Sequence, residues 1–375
     1  MSTLGIIFSN LHDKNIPELT KDRTMASVPF GCRYRLIDFP LSNMVNSGID
    51  HVGVITHYNY FSLMKHLSTG KEWDLSRNNK GLIILPPFVS GYSSGNNALY
   101  STRLEAIKSI SNFITSATEN LTVMSDSDVI CNINLKDVIQ FHKKHQSDIT
   151  LVTKKVFIPR GQINNHLYVK SQNGRIYEIS RIAPDTHGIV NAVTNITIIS
   201  TELLKRIVNQ AIATGEKSFT DDIIKKELNS LRIFEYEYNG TYFCIDSLNA
   251  FFSANMELLS REVQLNLFHL ESRPIYTNVH SSPPTRYTNT ANVKNSLIAD
   301  GCKIEGNVRD SIVFRGVKIE KGCNIEHSII FENTIICAGC NLKYIITEKN
   351  VKITEGITLT GHYIKPFFIN KNTLI

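Results

Sequence analysis

From the N-terminus to about residue 265, short apolar runs alternate with segments that read as helices. Residues 5–8, 52–56, 121–124, 149–154 and 196–199 predict strands. Residues 41–47, 59–67, 98–114, 135–144 and 201–213 predict helices, and 249–268 predicts a long helix closing the domain. This alternation argues for an α/β domain with a mainly parallel sheet. The first apolar run (Leu4, Ile6, Ile7, Phe8) stops at Ser9-Asn10, and a charged loop follows, with Pro17 and Thr20 at its end. Such strand ends are where α/β proteins usually hold ligands. Phosphate-holding loops are rich in glycine, because only glycine lets backbone N–H groups approach phosphate oxygens closely. Between Ile6 and Thr20 there is no glycine.

The texture changes twice further on. Residues 271–289 carry Pro274, Pro283 and Pro284 among polar residues and read as an extended linker. After residue 290, apolar positions recur every six residues: Ile298 and Ile304; Val313, Ile319 and Ile325; Ile330, Ile336 and Leu342; Ile345, Val351 and Ile357. The rows begin 15, 17 and 15 residues apart, and Gly-Cys recurs at 301, 322 and 339. A six-residue period predicts a triangular parallel β-helix, each hexapeptide forming one side. Against that background Cys337-x-x-Cys340 reads as corner filling, since no second Cys/His pair stands at zinc spacing. An acyltransferase would need a catalytic histidine on the coils, and His327 is the only one between 290 and 361.

Composition narrows the partners. The chain has 375 residues, 42% of them hydrophobic, with a net charge of +6. That is enough for two domains. No block of like charges suggests a nucleic-acid tail, so small anionic ligands fit better than nucleic acid. Seven scattered cysteines predict reduced thiols and a cytoplasmic location. No signal peptide or membrane span is expected.

The densest stretch is Arg23-Thr-Met-Ala-Ser-Val-Pro-Phe-Gly-Cys-Arg-Tyr-Arg-Leu-Ile-Asp-Phe-Pro-Leu-Ser-Asn. With Glu72-Trp-Asp-Leu, Ile84-Leu-Pro-Pro and Ala254-Asn-Met-Glu-Leu-Leu, it resembles the glucose-1-phosphate adenylyltransferase (ADP-glucose pyrophosphorylase) family over nearly the whole chain. The resemblance implies a Rossmann-like nucleotidyltransferase domain over 1–268, a linker over 269–290 and a left-handed parallel β-helix over 291–375. It implies the reaction of ATP with glucose 1-phosphate, assisted by Mg²⁺, to ADP-glucose and pyrophosphate. That chemistry needs a glycine-rich cradle, cations on the phosphates and a metal held by carboxylates.

Set against the family pattern, this chain departs at each part. The cradle falls on Asn10, Leu11, His12, Asp13, Lys14, Asn15 and Ile16, with the phosphate-facing arginine at Asn15. The family's lysine falls on Met25, and the adenine-side motif is blurred to Ser94-Gly-Asn-Asn, ending at Asn97. Asp128 matches one metal carboxylate; the second falls on Cys244, or on Asp246 after a two-residue shift. Arg181 and Asp222 are the remnants expected on the sugar-phosphate side. Arg23, Arg35, Lys65 and His66 match positions that bind phosphorylated effectors in the family, arginine's planar fork suiting phosphate oxygens. The alternative for these four is a scaffold or subunit-contact role. His57, where the family has glutamine, is expected to be a satisfied polar residue, and Trp73 a packing anchor.

The expectation is therefore a regulatory, weakly catalytic or non-catalytic subunit of GlgD type. It would need no cofactor of its own, Mg²⁺ belonging to a catalytic partner subunit in a heterotetramer. An active adenylyltransferase with a divergent loop, or a lone sugar-phosphate or nucleotide sensor, are the alternatives.

Overall fold

A computed structural model describes residues 2–86, 100–159, 166–181, 186–279 and 281–375. Nine strands form the main sheet: β1 (Thr3–Phe8), β2 (His51–Ile55), β3 (Gly81–Leu85), β4 (Leu121–Asp126), β5 (Ile149–Ile158), β6 (Leu167–Gln172), β7 (Arg175–Arg181), β8 (Gly188–Ser200) and β9 (Ile233–Glu237). Their spatial order is β3-β2-β1-β4-β8-β5-β9-β7-β6. The half from β3 to β4 is parallel, as the alternating pattern predicts. β8 then runs antiparallel to both β4 and β5, and β7 pairs antiparallel with β6 and β9. The β6–β7 hairpin turns on Asn173-Gly174, both with positive φ. An Asn-Gly pair favours the two-residue turn that matches strand twist.

Helix ends follow local chemistry. Ser200 accepts a hydrogen bond from Leu203 N–H and starts Thr201–Thr214, which ends at left-handed Gly215. The helix predicted over 98–114 begins at Arg103, where Thr102 caps it, and breaks at Ile110 into Arg103–Ser109 and Ser111–Ser116. The helix predicted over 249–268 is likewise two, Leu248–Glu257 and Arg261–Phe268. The Gln264 amide donates to the Leu258 carbonyl at the break, satisfying an acceptor the first helix leaves free. Among the described residues no helix is long and apolar enough to cross a membrane.

The C-terminal part is a left-handed parallel β-helix of three five-stranded sheets. Ile304, Ile319, Ile336 and Ile353 stack along one side, and Val308, Ile325, Leu342 and Leu359 along another. On the third, Ile298, Val313, Ile330 and Thr347 stack. The fourth row is therefore Thr347, Ile353 and Leu359, not the predicted Ile345, Val351 and Ile357. A buried threonine at the inward position hid the register. Its hydroxyl accepts the Phe331 N–H, so the burial is satisfied. Gly301, Gly322 and Gly339 turn corners with φ of 76°, 73° and 74°, and the cysteine after each is buried inside the corner. That is the physical content of the Gly-Cys repeat, and all seven cysteines are free thiols.

Two apolar clusters cover the two faces of the main sheet. A third joins it to the β-helix: Phe30, Phe251 and Phe252 from one side meet Ile312, Phe314, Ile329 and Phe331 from the other. On these coils Val313 and Ile330 point inward while Ile312 and Ile329 face the first domain, so Ser-Ile-Val-Phe and Ser-Ile-Ile-Phe read as continuous apolar runs. Arg286–Tyr287, late in the predicted linker, already pairs with the first coil.

Candidate functional site

The C-terminal ends of β1 and β4 lie side by side, with Phe8 paired to Asp126. The loop after β1 follows, and several of its polar groups bond within it. Residues Asp13–Asn15 form a helical turn in which Asn15 N–H donates to the His12 carbonyl. The Thr20 hydroxyl reaches the carbonyls of Asp13 and Ile16. Asp13 accepts the Met25 N–H at 2.7 Å, and burial pushes its carboxyl up to about 7. The Tyr100 hydroxyl donates to Asn10 at 3.0 Å. This loop is folded on itself rather than open as a nest of N–H groups.

The residues matched to catalytic positions fall in three settings. Asn15 is exposed at the rim. Met25 is 1% exposed and packed in the cluster that joins the two domains. Cys244 pairs across from Val129, beside Asp128, whose carbonyl accepts the Ile245 N–H. Burial, and then the Asp128 charge, pushes the Cys244 thiol well above its usual range. The structure thus puts Cys244 next to the first carboxylate, while Asp246, the alternative after a two-residue shift, is turned to His166 at 3.1 Å.

Asp128 stands in a cluster whose members carry no joint signal along the sequence. His12 Nε2 lies 3.0 Å from Asp126 and 3.8 Å from Asp128. Arg103, at the start of its helix, donates to the same Asp126 oxygen at 2.8 Å, and its guanidinium lies over the Phe8 ring. Burial opposes a charged His12, but Asp128 and Asp126 outweigh it and push the imidazole up to about 9. Burial likewise opposes the Asp126 charge, yet Arg103 and His12 hold its carboxyl below the ordinary range. Burial lifts Asp128. Oδ1 of each aspartate is buried with no hydrogen bond among the described residues. Mg²⁺ takes near-octahedral oxygen ligands and keeps several waters. A histidine nitrogen, a guanidinium already on one carboxylate and a thiol at the third position do not fit it.

On the sugar-phosphate side, Arg181 and Asp221 make a loose ion pair at 3.6 Å. Asp222 accepts the N–H groups of Lys217 and Ser218. Both predicted remnants therefore meet at one place, but as partners of neighbouring protein groups. Asn97 lies outside the described residues.

Two of the predicted effector cations, Arg23 and Arg35, lie where the first domain meets the β-helix. Arg23, 6% exposed, grips Glu348 of the coil with two nitrogens at 2.7 and 2.8 Å. His66 is 2.6 Å from buried Asp38, and Arg35 donates to the Ser62 carbonyl and hydroxyl. Burial holds Arg35 below its usual value, against the pull of Glu332 and Asp38; Lys349, bonded to Glu332 at 2.9 Å, is held down by burial too. Lys65 is exposed. Glu348 carried no local signal, because its partner Arg23 stands 325 positions away in sequence.

His57 corrects its expectation. It is 5% exposed, ringed by Tyr58 and Tyr100, and its Nε2 has no hydrogen bond among the described residues. Burial and then Lys14 push it down to about 4. A base held neutral by folding takes a proton once unfolded, so its share of stability is complete above about pH 6.5 and lost as pH falls towards 4. Unfolding free energies at pH 7 and pH 5 should differ less in His57→Gln than in the wild type. Trp73 is a packing anchor, 1% exposed and edge-on to His66.

Two family models match. One described as nucleotidyl transferase covers residues 14–162, and one described as GlmU-like, C-terminal hexapeptide, covers 283–362. The chain is 34% identical to the glycogen biosynthesis protein GlgD of Bacillus subtilis, over 86% of this chain and 82% of that one. It is 36% identical to GlgD of Geobacillus stearothermophilus, over 85% and 81%. It is 31% identical to a glucose-1-phosphate adenylyltransferase of Mycoplasma mobile, over 86% and 84%.

Proposed function

The chain belongs to the glucose-1-phosphate adenylyltransferase family, and from that premise we propose that it is a regulatory subunit, non-catalytic or nearly so. It serves glycogen biosynthesis beside a catalytic subunit that turns ATP and glucose 1-phosphate into ADP-glucose and pyrophosphate, in a heterotetramer in the cytoplasm. The carrying observation is the loop after β1, stitched to itself by Asp13, Asn15 and Thr20 where the family opens a cradle. Met25 in the core and Cys244 beside Asp128 support the same reading. The scaffold is kept: its sheet, its β-helix and the charged junction between them. That junction is the proposed place of regulation, where a phosphorylated effector would compete with Glu348 for Arg23 and engage Arg35 and Lys65.

Losing one donor to developing charge costs on the order of 10²–10³ in rate. From an ordinary turnover of about 10 s⁻¹, two or three losses leave about 10⁻³ s⁻¹ or less. Pure protein supplied with ATP, glucose 1-phosphate and Mg²⁺ should form ADP-glucose no faster than that. Turnover above about 1 s⁻¹ would overturn the reading in favour of an active enzyme.

A further inference from the structure

Two buried carboxylates side by side need positive charge, because an unpaired buried ion is expensive to keep. In this chain Asp126 and Asp128 are 1% and 2% exposed. We infer that His12 and Arg103 stand in for a divalent cation here, neutralising both carboxylates from within the chain and clasping the first loop to the end of β4. This rests on the proposed non-catalytic reading of the site.

The geometry carries it from both sides. His12 comes from the loop, where the aligned family position belongs to the cradle, and its Nε2 faces both aspartates at 3.0 and 3.8 Å. Arg103 comes from the opposite wall, donates to Asp126 at 2.8 Å, and is held in place by the Phe8 ring 5.3 Å from its guanidinium carbon. Two carboxylates thus meet an imidazole and a guanidinium. A doubly charged ion between them would face the guanidinium's like charge at close range. Because His12 belongs to the loop, the clasp fixes the loop over the strand ends without metal or nucleotide. Asp126 Oδ1 and Asp128 Oδ1, without hydrogen bonds among the described residues, are the atoms that a small cation would take if the clasp were removed.

The test is Mn²⁺ binding to the full-length protein, followed by the free-ion electron paramagnetic resonance signal, with melting temperature read in parallel with and without Mg²⁺. The wild type should take up no Mn²⁺ below about 1 mM, the range of the loosest protein cation sites, and its melting temperature should ignore Mg²⁺. His12→Gly with Arg103→Ala should melt lower and regain stability with either ion, as binding to the folded state alone requires. His12→Gly by itself carries the same test if the double variant does not fold. Tight Mn²⁺ binding by the wild type that weakens in His12→Gly would overturn the inference, making His12 a ligand. A variant whose stability ignores metal would also overturn it. Neither result decides the proposed function, which is tested separately by turnover and by mixing with a catalytic subunit.

Discussion

Arg23→Ala should destabilise the protein by about 3–5 kcal/mol, the usual consequence of stripping one partner from a buried ion pair. Arg23 and Glu348 are 6% and 3% exposed and joined by two short contacts across the junction of the domains. Alanine at 23 leaves the buried Glu348 carboxylate without its cation. Glu348→Ala should cost a similar amount, since it strands the guanidinium instead. Replacing both together, Arg23→Met with Glu348→Leu, should return most of the loss, because a buried pair often breaks even against apolar groups of similar volume. Denaturant unfolding of the four proteins, without added ligand, checks this. Single variants within about 1 kcal/mol of wild type would mean that the pair is solvated in solution, like an ordinary surface pair.

Phe331→Ala should cost about 3–5 kcal/mol, the range for large aromatic deletions in a core. Phe331 is 0% exposed and packs edge-on against Phe251 of the first domain and Phe314 of the preceding coil. Its ring is shared between the domains, so the cavity left behind loosens the junction and not only the coil. The wild type should therefore melt in one calorimetric transition and the variant in two, the coils separating from the main sheet. A variant that still melts once, at the wild-type temperature, would place the coupling elsewhere.

These two residues also mark the limit of what the sequence discloses. Periodicity located three of the four strands in the parallel half of the sheet, missing Gly81–Leu85, and it located the coils, because each strand and hexapeptide turns an apolar residue to a core nearby in sequence. It lost the fourth coil, where Thr347 takes the inward place of an aliphatic residue. It divided neither the helix at Ile110 nor the one after Glu257, since both breaks are set by packing and by bonds such as Gln264 to Leu258. Alignment with the family's motifs reached Asp128, Met25 and Cys244, and the structure puts Cys244 beside Asp128. It did not reach Arg103, Asp126's partner from about 23 residues upstream, or Glu348, Arg23's partner from the far end of the chain. Charge pairs of that kind have no spacing to read; only the fold brings them together.

The proposal that this chain regulates without itself catalysing is tested most directly by measuring ADP-glucose synthesis for a catalytic subunit alone, for this protein alone and for the two mixed. A regulatory subunit should show no significant turnover alone, and should give a mixture whose substrate affinity or effector response differs several-fold from the catalytic subunit's own, within the 5–150-fold span typical of coupled sites. Turnover by the lone chain at ordinary enzymatic rates, or a mixture indistinguishable from the catalytic subunit, would contradict it.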